Sequence, residues 1–257
     1  MSEILRLDHV SYAYPGGKPV LRDVSFSLAA GRSIGLVGQS GSGKSTILKL
    51  LLGLLKPQAG AVTFDGVPLS LSDRALMRSY RRSVQAVFQD PYASLDPRQR
   101  VRSILTEPLR SLKIPGDREA LVAKALGDVG LDPAMLDRYP DAFSGGQRQR
   151  IAIARAIVAG SRVILADEAV SALDLTTKVR IVDLFKTLAS RMTLLFVSHD
   201  LGVVAALCDE IIILAEGRVV EAGPTRTVLA APAHPYTRSL LASVPRLPAF
   251  VAGDHQS

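Results

Sequence analysis

The segment GQSGSGKST at 38–46 constrains this chain more than any other, because it sits between an apolar run, SIGLVG at 33–38, and a second one, TILKLLLGLL at 46–55. The first run reads as a buried strand and the second as the helix that should follow. Gly38, Gly41 and Gly43 let the backbone between them curl so that successive N–H groups point inward. Together with the N-terminus of the coming helix, those amides suit phosphate oxygens. In such a loop, built from Gly38, Gln39, Ser40, Gly41, Ser42, Gly43, Lys44, Ser45 and Thr46, Lys44 reaches the β and γ phosphates and Ser45 Oγ binds Mg²⁺. An ordinary Gly/Ser turn would need neither the preceding strand nor the following helix.

Two further segments add to it. VILADEAVSALD at 163–174 reads as a buried strand that delivers Asp167 at its C-terminal end, where ligands bind in α/β sheets. A carboxylate there can hold Mg²⁺ through water, and the adjacent Glu168 is left to act on an attacking water. Gln89, after the strand VQAVF at 84–88, could touch both Mg²⁺ and that water. His199, after TLLFVS, could contact the γ phosphate. Ser198, His199 and Asp200 spell the three residue types of a hydrolytic triad, but neighbours on a strand alternate in direction and cannot converge. FSGGQ at 143–147 opens the apparent helix QRQRIAIARAIVAG, with Gly160 as its stop. Ser144, Gly145, Gly146 and Gln147 offer amides and a hydroxyl suited to a γ phosphate, one that Lys44 already holds.

The chain has 257 residues, 47% hydrophobic and 21% charged, enough for a buried core and too apolar for disorder. No apolar run approaches the roughly 18 residues of a membrane span, and Met1–Arg6 does not open a signal peptide. One cysteine, Cys208, excludes an internal disulfide and fits a reducing cytosol. The net charge of +7 is concentrated in arginines at 74–110, which read as a solvated helix face, an anionic membrane surface or an acidic partner's contact. That stretch lacks the interleaved aromatics of a nucleic-acid surface. Alternating strands dominate the first third. Residues 90–142 are proline-punctuated and helical, strand and helix then alternate again, and the last 25 or so residues are a tail without an assigned packing.

The phosphate loop, FSGGQ and VILADE, in that order, resemble the ABC ATPase family over almost the whole chain. The resemblance implies an α/β fold with a RecA-like core, an antiparallel β subdomain at the N-terminus and an inserted helical subdomain at about 90–160. It places the ATP-binding domain at 1–230 and a family-type tail at 231–257. It implies ATP and Mg²⁺ as cofactors, with Ser45, Gln89 and Asp167 at the metal, Glu168 as general base and His199 as the switch histidine. Tyr14, directly before the PGG turn, becomes the adenine-stacking aromatic in preference to Tyr12. Ser144–Gln147 close on the nucleotide of a second subunit, and Ser171–Asp174 resemble the loop joining the two halves. Phe143 stands where leucine is commoner and Ala169 where proline is usual, both apolar replacements.

Within the family, VFQDPYASLDPRQRV at 87–101 and HPYTRSLLASVP at 234–245 resemble the ATPase subunits of bacterial importers for dipeptides, oligopeptides and nickel. DEAVS resembles the nickel branch. This implies two permease subunits, a second ABC ATPase, an extracytoplasmic binding protein acting indirectly, and a peripheral place on the cytoplasmic face of the inner membrane. The shorter ATPase of an unequal pair is expected, because the cysteine cluster of some partners is absent. No nucleic acid is expected. The competing reading is a soluble ABC ATPase acting on ribosomes or nucleic acid. A non-hydrolysing regulatory subunit conflicts with intact Lys44, Asp167 and Glu168, and a small-molecule kinase would have no use for FSGGQ.

Overall fold

The computed structural model describes residues 2–243. Ten strands form two sheets: β1 (Glu3–Ala13), β2 (Pro19–Ala29), β3 (Ser33–Val37), β4 (Ala59–Phe64), β5 (Val67–Pro68), β6 (Val84–Val87), β7 (Val163–Asp167), β8 (Thr193–Ser198), β9 (Glu210–Ala215) and β10 (Arg218–Pro224). The first sheet is antiparallel, in the order β2-β1-β4-β5. The second runs β10-β9-β3-β8-β7-β6, parallel throughout except for β10 at its edge.

Why the second sheet reads as continuous apolar runs is visible in how its side chains divide. Successive residues of a strand face opposite ways. Ile34, Leu36, Val163, Leu165, Leu195, Val197, Ile212 and Leu214 pack into the core beneath the antiparallel sheet, against Leu5, Leu7, Val24 and the helix Lys44–Leu51. Their neighbours Ile164, Ala166, Leu194, Phe196, Ile211 and Ile213 face the other core, with the helices. Both faces are covered, so alternation of polar and apolar residues disappears.

No strand lies between Val87 and Val163. The chain there makes the helices Pro91–Ser94, Val101–Ser111, Arg118–Asp128 and Gly145–Ile157, with two short 3₁₀ turns between the last pair. Asp117 caps one helix by accepting from Glu119 and Ala120 N–H. Arg102 ties Val101–Ser111 to its neighbours through Glu119 and Asp137. The arginine-rich stretch is thus divided. Arg102 serves packing, while Arg74, Arg78, Arg81 and Arg82 stay exposed on the helix Arg74–Ser83, whose inner face is Met77 and Tyr80.

Two expected helices differ in extent. The phosphate-loop helix runs Lys44–Leu51 rather than 46–55, starting at the loop itself and ending before Gly53, whose φ is +66°. The FSGGQ helix begins at Gly145 rather than 147, because Ser144 caps it. Of the expected tail at 231–257, the described part contains the helix Pro235–Ala242, preceded by the helix Thr225–Ala230 just outside it; residues 244–257 lie outside the described ones.

Candidate functional site

The parallel strands end together. Val37 pairs with Ser198, Val197 with Asp167 and Ala166 with Val87, so the residues that follow four strand ends meet at one edge of the sheet. There they line a cavity of about 770 Å³ with Gly38–Gly41, Gly43–Thr46, Gln89, Asp167, Glu168 and His199 on its walls.

Gly43 is the N-cap of the helix Lys44–Leu51, at φ +112°, and a Cβ there would meet Leu21 Cδ2 at 2.6 Å. Only glycine turns the chain at that point without strain. The helix therefore begins with its amides free of any side-chain cap, facing the cavity. Lys44 is buried, its Nζ donating to Gly38 O at 2.6 Å and Gln39 O at 2.9 Å. Burial holds its ammonium below the usual lysine range, while Glu168 and Asp167 pull it back upward. A phosphate offers Lys44 a charged acceptor in place of two carbonyls.

Across the cavity, burial pushes the Asp167 carboxyl above its usual range. Glu168 adds to the push and Lys44 opposes it. Glu168 has φ +46°, a left-handed conformation unusual for a glutamate. The turn is held by Glu168 N–H donating to Val197 O at 2.9 Å, and by Ser171 N–H and Oγ both donating to Glu168 O at 3.0 Å. With that backbone, Glu168 turns back so that its Oε1 accepts from His199 Nδ1 at 3.1 Å. An imidazole that donates from Nδ1 can donate from Nε2 as well only when protonated. Ser198 and Asp200 belong to other work: Ser198 Oγ accepts from Asp200 N–H at 2.9 Å, and Asp200 pairs with Lys178. No hydrolytic triad forms.

Tyr14 is 38% exposed and Tyr12 9%, their rings meeting edge to face at 5.1 Å. Lys49 Nζ lies 5.9 Å from the Tyr14 centroid. Tyr14 thus offers its ring beside the phosphate-loop helix, while Tyr12 is used in the core.

Ser144, Gly145, Gly146 and Gln147 do not line this cavity. Ser144 is exposed and closes a capping box, with Ser144 N–H donating to Gln147 Oε1 at 3.0 Å and Gln147 N–H to Ser144 Oγ at 3.4 Å. A Cβ on Gly146 would lie 2.3 Å from Thr177 Cγ2, so glycine lets the FSGGQ helix press against the helix Leu175–Ala189. Asp174 caps that second helix by accepting from Thr177 N–H at 3.0 Å, leaving Leu175 77% and Val179 53% exposed beside it. Thr177 carries no motif, and only this contact brings it into the site.

Sequence reasoning also missed the C-terminal segment. Leu240 and Ser243 line the cavity, and Tyr236 Oη accepts from Gln39 N–H at 2.9 Å. Pro235 at the first helical position behind His234 marks a helix start in the sequence, but no local pattern announces a contact across 197 positions.

The profile of the ABC transporter family matches residues 21–171, and that of the oligopeptide/dipeptide transporter C-terminal region matches 220–251. A protein of Brucella ovis, provisionally named a peptide import ATP-binding protein, is 46% identical over 230 residues, 88% of this chain and 73% of its own length. The glutathione import ATP-binding protein GsiA of Escherichia coli is 47% identical over 226 residues, 86% of this chain and 36% of its own. Among solved structures, cbiO1 of Clostridium perfringens, part of the ABC transporter complex cbiONQ, superposes with a TM-score of 0.82 at 29% identity, covering 90% of this chain and 92% of that one. A dimeric ATP-binding cassette in a post-hydrolysis state with ADP and Pi gives 0.77 at 30% identity, covering 87% and 99%. With its phosphate loop, paired acids and outward-facing SGGQ helix, the chain belongs to the ABC transporter family, as one of its ATP-binding and ATP-hydrolysing subunits.

Proposed function

We propose that this chain hydrolyses ATP between itself and a second ABC ATPase to drive import of peptides, or of a nickel complex, through two separate permease subunits. The observation that carries the reading is the division of the site. Lys44, Gln89, Asp167, Glu168 and His199 share one cavity, while Ser144–Gln147 present a second anion-binding helix end outside it. The names of the import relatives, and the match to the transporter C-terminal region, favour peptides as cargo. The same match leaves the ribosome or nucleic-acid alternative without support.

Within the cavity, Gly38–Thr46 would hold the phosphates and Tyr14 would stack on adenine. Ser45, Gln89 and Asp167 form an all-oxygen donor set with one formal charge, which fits Mg²⁺ completed by water and phosphate oxygens. Bound there, Mg²⁺ would neutralise charge on the β and γ phosphates. Asp167 supports this fit, since a carboxylate disfavoured by burial gains from a cation beside it. Glu168 would accept the proton of the attacking water, with His199 orienting it through the 3.1 Å contact. The partner's serine-glycine segment would complete the charge stabilisation at the γ phosphate.

The domain limits follow the same reading: residues 1–230 form the ATP-binding unit, with 90–160 as its helical insertion, and 231–257 form the importer-type tail. No helix among the described residues is long and apolar enough to cross a membrane. Attachment to the cytoplasmic face of the inner membrane would therefore run through the permeases, with an extracytoplasmic binding protein delivering cargo. Purifying tagged Glu168→Gln protein with ATP from its native membranes tests this. Two permeases and a second nucleotide-binding chain are expected; ribosomes or nucleic acid in their place would overturn it.

A further inference from the structure

The helix Pro235–Ala242 is anchored as if its position mattered. On β10, the Glu221 carboxylate accepts from Ala233 N–H at 2.8 Å and His234 N–H at 3.1 Å. His234 Nδ1 caps the helix by accepting from Tyr236 N–H at 3.2 Å. Arg238 closes the turn from the other side, donating to Pro232 O at 3.0 Å and Ala233 O at 2.9 Å. Thr237 is fully buried, and Tyr236, Leu240 and Leu241 pack on the core.

These restraints converge on the Tyr236 hydroxyl, which accepts from Gln39 N–H at 2.9 Å. That N–H and the Gly38 carbonyl are the two ends of one peptide group, and the carbonyl end accepts from Lys44 Nζ at 2.6 Å. A single peptide plane at the entrance of the phosphate loop is gripped from within by Lys44 and from outside by Tyr236. When a nucleotide draws Lys44 toward its phosphates, Tyr236 is the grip that remains.

We propose that Tyr236 is a positioning residue for nucleotide binding: its hydroxyl fixes the Gly38–Gln39 peptide, so that the loop is ordered before phosphate arrives. Ordering done in advance is entropy not spent on binding. Losing one neutral hydrogen bond therefore weakens ATP without touching the reacting atoms. The inference rests on reading the cavity as the nucleotide site.

The test is ATP binding to the purified full chain by calorimetric titration, comparing wild type, Tyr236→Phe and Lys44→Ala. Tyr236→Phe is expected to raise Kd about three- to tenfold, with the nucleotide-free melting midpoint lowered by no more than about 2–4 °C and faster hydrogen exchange at the Gln39 amide. In steady-state hydrolysis KM should rise by a similar factor while kcat holds, the signature of lost uniform binding. A Kd equal to wild type overturns the inference and leaves the nucleotide site standing. A wild type that binds ATP no better than Lys44→Ala overturns the site reading itself. Should Tyr236→Phe fail to fold, Glu221→Gln keeps the hydroxyl and loosens its anchor; the same rise in Kd is expected, and wild-type affinity would refute the proposal.

Discussion

The phosphate loop and the FSGGQ segment are the same device used in two settings. Each leads through glycines into the N-terminus of a helix, Lys44–Leu51 in one case and Gly145–Ile157 in the other. The first sits at the end of a buried strand, uncapped, with a buried lysine turned inward. The second stands in the open, with Ser144 N–H and Gln147 N–H paired in its own capping box. Local chemistry alone would make both of them anion sites. Their placement separates a helix end that faces the cavity from one that does not line it, the second being proposed to complete the site of another chain.

Substitutions on the two sides should separate accordingly. Glu168→Gln removes the proposed proton acceptor and should lower hydrolysis by about 10²–10⁴-fold while ATP still binds, read by phosphate release and equilibrium binding on the same preparation. Lys44→Ala removes the proposed charged contact to phosphate and should weaken ATP binding itself by about 10–100-fold. Ser144→Ala should do the reverse: ATP affinity of the isolated chain stays at the wild-type value and hydrolysis falls by about tenfold. The lost cap costs about 1 kcal/mol of stability. Loss of ATP affinity in Ser144→Ala would erase the distinction between the regions.

The smallest effect concerns Asp167. Burial raises its folded pKa above the unfolded value, so the folded chain holds that proton more tightly. Its contribution favours folding as pH falls toward the carboxylate range near about 4, and opposes folding as pH rises through the folded value. Asp167→Asn should therefore raise the nucleotide-free melting midpoint at pH 7 by about 2 °C. That advantage should shrink toward acid pH, as differential scanning calorimetry across pH would show.

How legible each region was follows from what local sequence can encode. The strand, glycine loop and helix of 33–51 state their own geometry, and four apolar residues followed by Asp167 place a carboxylate at a sheet edge. That Ser144 caps its helix is also local, a Ser-x-x-Gln pattern. The grip of Tyr236 on Gln39 and the seating of Gly146 on Thr177 are products of tertiary packing, joining residues that no periodicity connects. The left-handed turn at Glu168 is likewise imposed by neighbours, Val197 and Ser171, rather than by glycine.

A single labelling experiment reaches the central claim, that the exposed SGGQ segment completes another chain's site. Cys208, the chain's one cysteine, is buried with its thiol pushed upward, so a cysteine at position 144 would react alone. In full-length Glu168→Gln protein carrying Ser144→Cys, alkylation should be fast without nucleotide. With ATP it should slow in proportion to chain concentration, as a second nucleotide domain covers the thiol. Labelling unaffected by ATP at any concentration, or protection that persists on dilution, would contradict the account.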